Sequence, residues 1–504
     1  MFKKIMSFVM MFAVVSLFTA CINDDDVNGS DSVTPNHPVT EGNVTFQFVV
    51  PNSNQSRVGD AENSGIEELG SKEEYALNNV IIYMFNNESG NFVKSYSLVG
   101  DEIGEPSVDG NDVVYKKQTF MVDPGTYKVY AVANSEKVYT PATVDDFMSY
   151  IDSKSYNTTM VNIIGKGIIM SNRGAQAPVV TVKSDEHTTT TIVLERVLAK
   201  IALAKAKDTY QLKKPGTDSV YAEITPVNYN MVNLSKEYYL FRHVGTFAMA
   251  DETPAAPATW DNVANFDVIP SVDGYAIDPH FFEKTVAGVS DFDGSIFNNP
   301  LKESADPNFA FIGSFGSATH YSSLYCLGNT NFCPAQLQGY TTGVLIEATI
   351  TVPTERCFDK DGNHVDVGGT QSPTELYYFN YNFYRDLEAV HKIGKAKVPS
   401  TTVSDDELWE KYQIKHFTTK LGSFKCYYNY WIKHLDNKMP TTLGVMEYGI
   451  VRNNIYRVNI TNILGLGAGT PDVDPNKPVE KKGYLDVDFG VMPWVVRGQD
   501  AELE

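Results

Sequence analysis

The sequence predicts an all-β fold built from β-sandwiches, with few and short helices, on three observations. Apolar residues recur with period two in many short segments, which gives each extended segment one apolar face. Tyrosine and phenylalanine are abundant, 29 and 27 in 504 residues, and both favour strands. Clusters of Gly, Pro, Asn and Asp punctuate the chain between these segments, the pattern of sandwich strands joined by turns. The length suffices for two or three domains with cores of their own.

The chain opens with Lys3 and Lys4, then an apolar run over 8–18, then Leu17-Phe18-Thr19-Ala20-Cys21. A run this short reads as a signal peptide, 1–20, rather than a membrane span. A cysteine directly after small residues points to lipidation of Cys21. Asp24-Asp25-Asp26 open an acidic spacer. Next, Asn43-Val44-Thr45-Phe46-Gln47-Phe48-Val49-Val50 alternates, with Val44, Phe46, Phe48 and Val50 on one face. Pro51-Asn52-Ser53-Asn54-Gln55-Ser56-Arg57 is a polar turn, and Arg57 is the only arginine before Arg173. This layout reads as a first strand that can be cut away.

Residues 58–74 are polar and acidic, a loop. Val80-Ile81-Ile82-Tyr83-Met84-Phe85 reads as a buried strand, with turn chemistry over 86–91 and a return strand over 92–99. Residues 113–122 alternate, and Asp123-Pro124-Gly125 turns the chain into a strand over 126–134. A short helix is expected over 143–150, capped by Thr143, with Asp145 and Asp146 favourably placed in its first turn. Strands follow over 179–183 and 188–194, the latter continuing as one long strand through 195–203. The junction between an N-terminal domain, 58–195, and a C-terminal domain, 196–504, is placed there. The second half continues with strands over 222–234, 238–241, 343–352, 376–381 and 424–432. Between 252 and 320 the composition suggests an irregular surface insertion. Ser404-Asp405-Asp406-Glu407 is a capping box opening a helix through about residue 415.

The tail is distinctive. Residues 451–460 form a strand, 464–482 a Gly/Pro/Asp linker, and the stretch from Tyr484 alternates again, with Leu485, Val487, Phe489 and Val491 on one face. Pro493-Trp494-Val495-Val496 extends it. A detachable strand therefore sits near each end of the chain.

Charge and composition narrow the function classes. Lys+Arg is 41 against 62 Asp+Glu, a net charge of -21, which argues against nucleic acid or anionic lipid as a partner. Cys326 and Cys333 are spaced to close a small loop by a disulfide, and buried free thiols are the equal alternative; Cys357 and Cys426 stand apart. Zinc requires tighter pairs than these. Asp359-Lys360-Asp361-Gly362-Asn363 begins like a calcium loop but has Thr370 where the distal glutamate belongs, so a hairpin turn is the better reading. His280 and Glu283 read as solvated surface. The residues imply no metal, no cofactor and no catalytic constellation, hence no enzyme. Tyr427, Tyr428, Tyr430 and Trp431 fit either a sheet core or an exposed sugar-stacking platform; the second would make the chain a monomeric glycan-binding surface lipoprotein.

The two end strands leave two readings open. Both are ordinary sheet strands, or one is a removable strand and the other a donor that completes a neighbouring subunit's sheet. The second is energetically sound. Four large apolar side chains entering a groove contribute about 6–12 kcal/mol, ladder hydrogen bonds about 1 kcal/mol each, and immobilisation offsets part of the sum.

The sequence resembles the FimA/Mfa-like fimbrilins of Bacteroidota, the subunits of type V pili. The resemblance is carried by Val451-Arg452-Asn453-Asn454-Ile455-Tyr456, the linker, and the tail strand with Met492-Pro493-Trp494. Pro124-Gly125-Thr126-Tyr127-Lys128-Val129, Leu194-Glu195-Arg196-Val197-Leu198-Ala199-Lys200 and Tyr325-Cys326-Leu327-Gly328-Asn329-Thr330 support it. It implies two transthyretin-like β-sandwich domains and export as a lipoprotein through a lipid, such as palmitate, on Cys21. The subunit would pass by the outer membrane to a surface fimbrium. It also implies a propeptide, 21–57, removed by an Arg-specific protease at the Arg57–Val58 bond. The C-terminal strand, 484–496, including Leu485, Val487, Phe489, Val491 and Trp494, would then enter the groove of a neighbour. The implied partners are copies of this chain, other fimbrial subunits, the protease, and host or bacterial surface ligands. A base subunit needs only a donor and a tip subunit only a groove, whereas a shaft subunit needs both; this chain has both, so the shaft is expected over the tip or anchor.

Overall fold

The computed structural model describes residues 41–50, 72–109, 112–153, 158–159, 166–173, 177–248, 253–257, 275–280, 297–298, 310–311, 313–314, 322–330, 337–369, 372–434, 447–471, 475, 477, 479 and 485–493. The fold is mostly β, as the alternation predicts. In the first half the principal strands are β1 (Gly42–Val50), β2 (Asn79–Asn86), β3 (Phe92–Val99), β4 (Pro106–Asp109), β5 (Asp112–Val122), β6 (Gly125–Ala133), β7 (Met170–Asn172), β8 (Val179–Val182) and β9 (His187–Arg196). They form one nine-stranded ladder, ordered β3-β2-β6-β7-β9-β1-β5-β4, with β8 paired to β6. β9 turns the corner between layers. From His187 to Val193 it pairs in parallel with β1, and from Leu194 to Arg196 antiparallel with β7. The ladder thus folds over on itself around a core that includes Val44, Phe48, Ile82, Val129 and Ile192.

β2 is buried on both faces from Val80 to Phe85, and packing explains why. Its outer face is covered by the short helix α2 (Val144–Met148); the first helix, α1 (Lys72–Tyr75), precedes β2. Phe147 of α2 lies 4.5 Å from the Tyr83 ring and 5.6 Å from Phe85, and Phe241 closes over it at 4.9 Å. The helix starts where its cap predicts: the Thr143 hydroxyl accepts the Asp146 N–H at 3.1 Å.

The principal strands of the second half are β10 (Leu198–Lys205), β11 (Tyr210–Lys213), β12 (Val220–Val232), β13 (Ser322–Leu327), β14 (Gly343–Thr351), β15 (Glu375–Phe379), β16 (Lys415–Lys420), β17 (Ser423–Trp431), β18 (Asn454–Ile463) and β19 (Leu485–Pro493). One sheet runs β19-β18-β10-β13 and a second runs β11-β12-β14-β17-β16-β15, each extended by shorter strands. Ile201, Leu203, Leu324 and Val458 from the first meet Ile224, Val344, Ile346 and Phe424 from the second in a separate core. Each half contains a long parallel pair, β1 with β9 and β10 with β18.

Four expectations change in detail. The long strand over 188–203 is two strands, broken at Val197: β9 feeds the first core, while β10 turns Ile201 and Leu203 to the second core and Leu198 and Ala202 to the first. The second capped helix, Asp405–Tyr412, stops before 415 because Gln413 takes the left-handed conformation at φ 59°. The strand predicted over 451–460 starts only at Asn454, because Asn453 is itself left-handed at φ 57°. Most of the insertion over 252–320 lies outside the described residues, but Tyr275–Ile277 pairs with His243–Gly245 and Ile277 is buried, so this piece is packed rather than irregular surface.

Candidate functional site

β1 is not a peripheral strand. It lies between β9 and β5, parallel to the first and antiparallel to the second. Val44, Phe46, Phe48 and Val50 are all 0 % exposed, whereas Asn43 on the other face is exposed. The Phe46 ring sits 5.7 Å from Phe120 of β5. On the outer face the Thr45 and Thr119 hydroxyls hydrogen-bond at 2.7 Å. The period-two pattern thus delivers a complete apolar row to the centre of the first core. Removing β1 would open a slot with a sheet edge on each side.

β19 is placed differently. Among the described residues it pairs with β18 alone, at the end of its sheet, in a register that sets Phe489 opposite Val458 and Val491 opposite Tyr456. Leu485 and Val487 are only partly buried against the second core. The linker before it is anchored first. Leu466 is buried, Ala468 exchanges two backbone hydrogen bonds of 2.9 Å with Tyr427, and the Tyr428 hydroxyl donates to the Gly465 carbonyl at 2.9 Å. A side chain at Gly467 would collide with the Tyr427 backbone, so glycine is required there. Further on, Val479 packs on Tyr427, Trp431 and Tyr448.

Between the two cores lies a buried polar cluster that joins the motifs quoted above. Glu74 of α1 is 0 % exposed. Its carboxylate accepts the Tyr325 hydroxyl at 2.5 Å and pairs with the Lys200 ammonium at 3.0 Å. Its carbonyl accepts Arg196 Nε at 2.8 Å, and Arg196 also donates to the Asn453 side chain at 3.3 Å. Burial lowers the Arg196 guanidinium to about 10, against the pull of Glu74, so it stays charged at neutral pH. Glu195 pairs with Arg242 at 2.6 Å, and Arg452 donates to the Tyr239 and Leu240 carbonyls. Glu-Arg of 195–196, Lys200, Tyr325 and Arg-Asn of 452–453 therefore meet at one place. Glu74 was missed by sequence reasoning; its only signal was a carboxylate in a stretch otherwise read as loop.

Other sequence-selected residues resolve variously. Cys326, offered by spacing as half of a bridge to Cys333, is a free thiol at 0 % exposure, which burial pushes up to about 12; Cys333 lies outside the described residues. Cys357 and Cys426 are free and buried too. Asp359 makes a turn, accepting the Asp361 and Asn363 N–H groups at 2.9 and 2.8 Å. His280 pairs with Glu237 at 3.1 Å, and Glu283 lies outside the described residues. Tyr427, Tyr428 and Trp431 are buried, not displayed. Cys21, Arg57, Val58 and Trp494 lie outside the described residues.

The chain is thus mostly β with two sandwich cores, its first long strand central and, among the described residues, its last at a sheet edge. Residues 23–223 match the family model described as major fimbrial subunit protein (FimA), and residues 422–500 match that of major fimbrial subunit protein type IV, fimbrillin, C-terminal. The chain belongs to the FimA/Mfa-like fimbrilin family, a family of fimbrial structural subunits, with other fimbrial subunits as its partners and a cell-surface fimbrium as its setting. Among solved structures it is similar to a fimbrilin (FimA) of Porphyromonas gingivalis, at 16 % identity, covering 91 % of this chain and 99 % of that one, TM-score 0.42. It is also similar to the tip fimbrial protein Mfa3 of the same organism, at 11 %, covering 90 % and 100 %, TM-score 0.33. A candidate cell adhesion protein of Parabacteroides distasonis aligns at 13 %, covering 90 % and 100 %, TM-score 0.44. No curated protein sequence matches significantly.

Proposed function

We propose that the chain is a shaft subunit exported as a lipoprotein on Cys21, matured by Arg-specific cleavage of the Arg57–Val58 bond, and polymerised by donor-strand exchange in support of adhesion. The observation that carries this reading is the contrast between the two end strands. β1 fills the middle of the first core with four fully buried side chains and is followed by the polar stretch containing Arg57. β19 is held, among the described residues, by one ladder at a sheet edge, and its Leu485 and Val487 are only partly buried, which suits a strand that can be given to a neighbour. In this reading 1–20 is the signal peptide, 21–57 the propeptide, 58–195 and 196–504 the two sandwich domains, and the strand over 484–496 the donor. Cutting after Arg57 frees β1 to leave, and the neighbour's tail restores the buried apolar row.

A monomeric glycan-binding role is disfavoured by the burial of Tyr427, Tyr428 and Trp431, since a stacking platform must be open. The test is purified precursor treated with an Arg-specific protease. Wild type should build SDS-resistant ladders, and Arg57→Ala should not. Equal polymerisation of Arg57→Ala would defeat the mechanism.

A further inference from the structure

Among the described residues β5 has two ladder partners, β1 and β4, and β4 has only β5. With β1 gone, no strand pairing among the described residues ties the β4–β5 hairpin to the rest of the first sandwich. The C-terminal end of β5 stays put because the chain enters β6 at Gly125, just after Val122. At the N-terminal end of β5 the chain is tied only indirectly, through Pro106 of β4, which lies opposite Tyr115 and follows the buried Ile103. Here Tyr115, the register partner of Phe48, donates its hydroxyl to the Tyr75 carbonyl at 3.0 Å. Burial raises the Tyr115 phenol, so the hydroxyl remains a donor throughout the neutral range.

Tyr75 is itself immobilised. It follows Glu74, whose carboxylate and carbonyl are held by Tyr325, Lys200 and Arg196, and it precedes Ala76, whose carbonyl accepts Asn134 Nδ2 at 2.8 Å. The acceptor of the Tyr115 hydroxyl is therefore fixed to the buried junction and not to β1.

We propose that Tyr115 is a positioning residue for strand exchange: its bond to Tyr75, backed by Glu74, holds the far wall of the slot in place after β1 departs. Two bare edges lined with exposed apolar side chains otherwise attract each other, and β5 is already antiparallel in direction to β9. Zipping those edges together closes the slot. Held apart by two strand spacings, ~10 Å, they leave room for one incoming strand. This inference rests on the donor-strand reading above.

The test uses precursor, wild type and Tyr115→Phe, before and after Arg-specific cleavage. The probe is a labelled peptide of residues 484–496. Before cleavage, Tyr115→Phe should melt close to wild type, because β1 still bridges β5 to β9. After cleavage it should bind the peptide about tenfold more weakly, the effect of losing one well-placed hydrogen bond. Amides over 112–116 should exchange faster in the cleaved variant than in cleaved wild type. Equal binding and equal exchange would overturn the inference, as would a loss of stability just as large in the uncleaved variant. If cleaved wild type takes up no peptide, the donor-strand reading fails, and this inference with it.

Discussion

The Tyr325 hydroxyl donates to the Glu74 carboxylate at 2.5 Å although the two residues stand 251 positions apart. That contact, with Lys200 and Arg196 around the same glutamate, links a segment from the first half of the chain to β10 and β13 of the second. Removing one partner of a buried ion pair leaves charge without compensation. Glu74→Ala should therefore destabilise the protein by about 3–5 kcal/mol. Urea unfolding measures this directly, and a loss within the range of ordinary surface substitutions would contradict it.

The buried row of β1 makes a second, positional prediction. Phe48→Ala should cost the uncleaved precursor about 3–5 kcal/mol, and Asn43→Ala, on the exposed face of the same strand, within about 0.5 kcal/mol. Thermal unfolding of the two variants side by side checks the register, since a slip by one residue would reverse them.

Acid stability should depend on His243. Burial, with Arg452 adding to it and the hydrogen bond to the Met148 carbonyl opposing, lowers its imidazole to about 4 from an unfolded value near 6.5. The folded state thus binds fewer protons than the unfolded state between those values. Its contribution is present above pH 6.5 and lost as the pH falls toward 4, on the order of 3 kcal/mol. The difference between wild type and His243→Asn in urea midpoints from pH 7 to pH 4 should shrink with acidity, and a constant difference would contradict it.

The tail should be dispensable for folding but not for assembly. Among the described residues β19 has one ladder, and its Leu485 and Val487 are only partly buried, so deletion of residues 484–504 should leave a folded monomer that forms no fibre after cleavage. Size-exclusion chromatography and electron microscopy test this, and fibres from the truncated chain would remove the tail as donor.

Much of this was legible in the sequence because it is local. The alternation at Val44, Phe46, Phe48 and Val50 has only one way to present an apolar face to a core, and Thr143 and Ser404 mark helix starts through bonds made within three residues. What was not legible depends on distant partners. The break at Val197 follows from β9 and β10 joining different sheets, which no local pattern encodes. The delayed start of β18 follows from Asn453 turning left-handed where its side chain meets Arg196. Glu74 looked like one more acid in a polar loop, and only the fold supplies its cation and its tyrosine. The aromatic cluster around Tyr427 and Trp431 was ambiguous for the same reason: the chain that covers it includes Val479 of the distant linker.

Donor-strand exchange requires that β1 leave the first sandwich. Mass spectrometry of fibres purified from the cell surface measures this most directly. The donor-strand account predicts subunits beginning at Val58, with peptides spanning 42–50 absent. Fibres whose subunits retain 42–50 in equal amount with the rest of the chain would contradict it.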